Sequence, residues 1–229
     1  PLTAHPDPES KNTKKPNSRL SIGAGGAGIR SLDHSATQHL AAGNRATLQS
    51  VSDDGPMKAV LVVIDRTSRD DLKALADKGA AGARVSMLFS SGTRADELAL
   101  LTGNGADLGW HSTILADVPA QLGLTHWVSG LSVPVVFDHM GQVEASKGVN
   151  SPGFQALLKS LDSGKVWIKL SGANHITAGN SDAYTDVTSM AEALVAANPE
   201  PLVWDSDWPH PAFDGPMPGD GDLLDLVFD

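Results

Sequence analysis

The chain has no cysteine among its 229 residues. Disulfides, thiolate nucleophiles and thiolate metal sites are therefore excluded, and the redox compartment leaves no mark. Positive charge is scarce: 17 Lys and Arg stand against 27 Asp and Glu, a formal net charge of −10. That balance argues against a nonspecific grip on nucleic acid or on an anionic membrane. It still permits one locally positive pocket and an anionic small molecule. No apolar run approaches the roughly 20 residues of a membrane span, and the N-terminus lacks a signal-peptide pattern. The expectation is a cytoplasmic protein with no membrane or nucleic-acid partner; oligomeric state is left open. Three loop motifs are missing as well. Gly23, Gly25, Gly26 and Gly28 form neither a Walker loop nor a GxGxxG helix opening, and no Gly-x-Ser-x-Gly elbow occurs.

What is present suits a loop-rich globular protein: 41% hydrophobic residues, 23 Gly and 14 Pro, on a chain long enough for a full core. Residues 1–28 read as an irregular arm and 29–229 as one domain, with a short strand near Ile29 to Leu32. The run Lys58 to Ile64 is continuous and β-branched, as expected of a strand covered on both faces. Ser68 then caps an amphipathic helix with Asp70 and Asp71 in its first turn. Ala83 to Phe89 reads as the next strand, and Thr93 to Asp96 as a capping box opening a helix. Further strands are expected at Asp107 to His111, Val133 to Phe137, Val166 to Leu170 and Leu202 to Trp204. Between them lie helices begun by Ser151-Pro152 and by Thr185 or Asp186, with a last helix over Leu223 to Val227.

Strands recurring at this spacing, each followed by room for a crossover helix, leave two parallel architectures. One is a (β/α)8 barrel, whole or incomplete at its first strand; the other is a flavodoxin-like open sheet. In either, functional groups collect beyond the carboxyl ends of the strands. The polar residues that follow or end these runs are Arg84, His111, Asp138-His139, Lys169 and Asp207. Asp207 suits a water-activating base, and His139, His111 or Arg84 suit a group that polarises a carbonyl. Strand alternation leaves Lys169 between the mouth and the helix layer. Trp208 reads as a pocket wall or packing group. The same final stretch also fits a strand followed by a proline-stiffened turn that Asp207 merely caps.

Four motifs carry a family resemblance: Gly109-Trp110-His111, Val136 to Gly141 (VFDHMG), Val166 to Gly172 (VWIKLSG) and Val203 to Pro211 (VWDSDWPHP). In this order, with Gly82-Ala83-Arg84-Val85 upstream, they resemble the amidohydrolase-related (amidohydrolase 2) family, in particular its 2-pyrone-4,6-dicarboxylate lactonase branch. The resemblance implies a TIM-type barrel that hydrolyses lactones or related carboxylic esters. It implies Asp207 as general base, His139 with His111 as catalytic partners, and Arg84 as a carboxylate-binding residue. Thr37, Gln142, His175 and Trp208 join the substrate-binding set, Thr37 by way of a fainter match over Thr37 to Leu48. The chain departs from the pattern in three places. It has no His-x-His pair, and Gln142 and His175 stand where the family carries arginines. A neutral amide and a partly charged imidazole weaken the cationic grip on substrate. The expected enzyme is metal-independent, the alternative being one zinc or manganese ion on His111, His139 and Asp207. The rival function is a noncatalytic small-molecule-binding barrel.

Overall fold

The computed structural model describes residues 33–35, 44–49, 51, 58–62, 67–88, 102–121, 123–179, 184–210, 213 and 215–228. The arm over 1–28, the strand expected at 29–32, Thr37 and the capping box at 93–96 lie outside these residues.

Among the described residues seven strands form one sheet: β1 (Asp33–Ser35), β2 (Lys58–Val62), β3 (Ala80–Ser86), β4 (His111–Leu115), β5 (Val135–Phe137), β6 (Val166–Leu170) and β7 (Leu202–Trp204). Their spatial order is their sequence order, and every pairing is parallel. A doubly wound sheet reverses its strand order at a switch point; this one never does. All crossovers thus run the same way round, which curls the sheet and places the helices outside, as in a (β/α) barrel. The flavodoxin-like alternative is set aside on this order.

Helices with both ends among the described residues include α1 (Asn44–Gln49), α2 (Arg69–Ala76), α3 (Leu124–Ser129), α4 (Pro152–Ser160), α5 (Ala173–Ile176), α6 (Thr185–Ala197) and α7 (Asp220–Phe228). Three begin as the sequence predicts: α6 at Thr185, and the two capped helices α2 and α4. Ser68 accepts from the Asp71 amide at 3.1 Å and donates to its carboxylate at 2.6 Å. Ser151 accepts from the Phe154 amide at 3.4 Å, with Pro152 in the first turn. Both caps satisfy donors that a helix start leaves without an intrahelical partner. The core lies between strands and helices, where Ile114, Val135, Phe137 and Ile168 meet Phe154, Leu157, Met190 and Leu194. Each such side chain contributes about 1.5–3 kcal/mol when fully buried. No helix among the described residues is long and apolar enough to cross a membrane.

Two strand expectations need correction. β3 starts three residues before the expected Ala83, because Gly79 turns the chain at φ 94° directly ahead of Ala80. More consequentially, Asp107 to Trp110 is not a strand. Ala106–Leu108 forms a 3-10 turn closed by Gly109 in the left-handed region, and β4 begins only at His111.

Candidate active site

The carboxyl ends of β5, β6 and β7 bring together the groups with chemical potential. Strand register places Phe137 beside Ile168 and Leu170 beside Trp204. The residues that follow those strands therefore meet at one mouth. Beyond β5 the chain turns through His139 (φ 50°), Met140 (48°) and Gln142 (56°), and beyond β7 through Asp207 (59°) and His210 (56°). Left-handed backbone at non-glycine residues is uncommon and costs of order 1–3 kcal/mol each. Its concentration in these two loops marks them as shaped for something other than stability.

Lys169 lies at the base of the cluster. Its side chain is 3% exposed, and its ammonium is 3.1 Å from Asp138 Oδ1 and 3.4 Å from Asp205 Oδ2. Arg84 completes the row, placing Nε at 3.1 Å and Nη2 at 3.0 Å from Asp138 Oδ2. Burial alone would raise the Asp138 pKa, but the two cations outweigh it and hold that carboxyl well below the usual carboxylate range. Buried charges require such pairing, and removal of one partner typically costs 3–5 kcal/mol. Asp205 ties this row to the next residue of interest, its Oδ1 accepting the Asp207 amide at 3.2 Å.

Asp207 is buried between two imidazoles. His139 Nε2 lies 3.6 Å from Oδ1, outside hydrogen-bond range, and His175 Nε2 lies 3.0 Å from Oδ2. Ser171 fixes the far side of the first ring, with Oγ 3.0 Å from His139 Nδ1. Burial pushes the His139 pKa down despite the opposing pull of Asp207, Asp138 and Asp205, so this imidazole is neutral at neutral pH. A carboxylate beside a neutral imidazole in a desolvated mouth combines a proton acceptor with a hydrogen-bond donor for developing charge. Gly172 gives that ring its space: at φ 66°, a Cβ there would sit 2.6 Å from the His139 ring.

Of the residues singled out from sequence, Asp207, His139 and His175 come together, and Arg84 joins through Asp138. Trp208 stands at the rim, 37% exposed, ahead of a cis bond to Pro209. Gln142 is half-buried and makes no hydrogen bond to the cluster. His111 is not part of it. As the first residue of β4, paired with Gly82, it lies at the amino end of the sheet, away from Asp138 and Asp207. The alternative metal set of His111, His139 and Asp207 is therefore not assembled. Among the described residues no group of three or more His, Asp or Glu side chains is arranged to hold an ion. Sequence reading missed Asp205 and left Lys169 undecided. The signal for both was charge complementarity: a lysine in one apolar run, and acids at the ends of two others.

A small pocket lies toward α6 and α7, walled by Leu170, Val187, Ala191, Trp204 and Leu223. It shares Ser171 and Asp205 with the polar cluster, while the wall itself is apolar.

The family described as Amidohydrolase matches residues 7–229. A 4-sulfomuconolactone hydrolase of Hydrogenophaga intermedia is 33% identical over 81% of the chain, and the match covers 63% of that protein. A 2-pyrone-4,6-dicarboxylate hydrolase of Comamonas testosteroni is 32% identical over 84%, covering 66% of its own length. The chain thus spans less than two thirds of either relative. An apo crystal structure from Agrobacterium tumefaciens superposes with a TM-score of 0.74 at 25% identity, over 85% of this chain and 71% of that one.

Proposed function

The chain belongs to the amidohydrolase family matched over residues 7–229, and from that membership we propose that it hydrolyses a small lactone or related carboxylic ester. The observation that carries this reading is the Asp207 carboxylate set between His139 at 3.6 Å and His175 at 3.0 Å, just beyond β7. Asp207 takes a proton from water as the water oxygen bonds to the carbonyl carbon. His139, kept neutral by burial, donates to the carbonyl oxygen as that oxygen gains charge. The bond to the ring oxygen then breaks, and the proton held by Asp207 passes to that leaving oxygen.

Two of the matched relatives are named for a sulfonated lactone and a pyrone dicarboxylate, which supports a small anionic substrate here. Arg84 suits such an anion. A guanidinium carries five N–H donors, and the contact with Asp138 engages only Nε and one terminal nitrogen. Trp208 fits a wall for the ring. The steps proposed here use only these side chains and water, and no metal ion.

The test is a panel of small lactones bearing carboxylate or sulfonate groups, run before and after dialysis against a chelator. The expected outcome is turnover that survives chelation and falls at least about a hundredfold in Asp207→Asn, the scale of lost acid–base catalysis. Unchanged turnover in that variant would remove Asp207 as the base. Activity lost on chelation and restored by zinc or manganese would overturn the metal-free reading. Binding without turnover would mark a noncatalytic binder.

A further inference from the structure

His175 occupies a position that the resemblance gives to a substrate-contacting arginine, yet its Nε2 faces Asp207. A nitrogen 3.0 Å from a carboxylate oxygen requires one proton between them, and the acceptor-only carboxylate cannot supply it. The proton must therefore lie on Nε2. We propose that His175 is a positioning residue for the base: its Nε2–H donates to Oδ2 of Asp207, leaving Oδ1 to receive the proton from water. This rests on the reading of Asp207 as that base.

The geometry distinguishes the two oxygens. Oδ2 is within hydrogen-bond range of His175, whereas Oδ1 is 3.6 Å from His139, outside it. The backbone of the same residue is held from the other side, its amide donating to Asp205. A carboxylate anchored at one oxygen and at its own amide loses the rotation that would present its two oxygens alternately. His175 is itself held. Its amide donates to the Gly172 carbonyl at 2.9 Å, and its ring meets His139 at 5.5 Å and the edge of Phe213 at 6.1 Å. A side chain present only for packing would not need a ring nitrogen facing an acid, and one that gripped substrate would not commit that nitrogen to the base.

Two measurements test this in the full chain. His175→Gln keeps an amide N–H donor, and His175→Leu keeps comparable bulk without one. With a lactone turned over by the wild type, the glutamine variant should hold kcat within a few-fold. The leucine variant should lose on the order of tenfold or more in kcat, with KM nearly unchanged, as expected for a lost hydrogen bond to a charged group. Equal behaviour of the two variants, or a loss confined to KM, would overturn the proposal. The second measurement needs no substrate. Long-range ¹⁵N–¹H spectra of the wild type should show a proton on His175 Nε2; a ring protonated on Nδ1 alone would overturn the proposal. If no lactone turns over while the Nε2 proton is seen, the hydrolase reading has failed and the hydrogen bond has not. Turnover together with a ring protonated on Nδ1 alone separates the two the other way.

Discussion

Asp138 and His139 are adjacent, both buried, and both held away from protonation, for different reasons. Lys169 and Arg84 keep the Asp138 carboxylate ionised, while burial keeps the His139 imidazole neutral. In each case the unfolded chain binds a proton more readily than the folded one, so stability rises with pH. On acidification the His139 contribution is lost first, as pH falls below the ordinary imidazole value of about 6.5 and the unfolded ring charges. The Asp138 contribution is present above the ordinary carboxylate value of about 3.9 and is lost below it, toward its lowered folded value. Urea midpoints measured at pH values of about 7.5, 5.5 and 3 should therefore decline stepwise, and His139→Gln should flatten the first step. A variant declining as steeply as the wild type between about 7.5 and 5.5 would contradict the assignment. Of these residues, sequence reading singled out Arg84, Asp138 and His139, which lie in or follow apolar runs. It could not orient Lys169. Alternation along β6 specifies two faces, but only the acids at the ends of β5 and β7 determine which face an ammonium can occupy.

The junction between β6 and α5 shows how much a single element end can carry. Gly172 is left-handed, and its absent side chain leaves the space occupied by the His139 ring, 2.6 Å from where a Cβ would stand. Gly172→Ala combines a left-handed penalty of about 1–2 kcal/mol with displacement of that ring. Activity should fall by a larger factor than stability, read by kcat beside the thermal midpoint; parallel small losses in both would show that the ring had room to move. Such a contact between β5 and β6 termini is not written in the Leu-Ser-Gly motif, which shows a turn but not what the turn makes room for. Whole elements were easier to read. The apolar runs at 166–170 and 202–204 coincide with β6 and β7, because continuous β-branched or aromatic segments of that length have few other buried conformations. The failure at His111 has a local cause: Gly109 closes a 3-10 turn and the strand begins after it. A residue expected at the carboxyl end of a strand thus starts one.

At the scale of the molecule, regular spacing of apolar runs was enough to predict parallel strands with outer crossovers, and the described sheet keeps that order through all seven. Spacing alone did not separate barrel from open sheet, since both are built from the same repeating unit and differ only in the direction of each crossover.

The row of charges beneath Asp207 has a kinetic consequence. Its links join residues 54 apart, from Arg84 to Asp138, and 36 apart, from Lys169 to Asp205. No hairpin shortens those distances in a sheet whose neighbours are all parallel, and non-local pairing of this kind forms slowly. Helices with satisfied caps, such as α2 and α4, can form on a far shorter timescale. On dilution from denaturant, far-ultraviolet circular dichroism should therefore recover ahead of lactone turnover, and simultaneous recovery would show the row closing with the first helices. Catalytic competence would then be the last property the chain acquires and the first that incomplete folding removes.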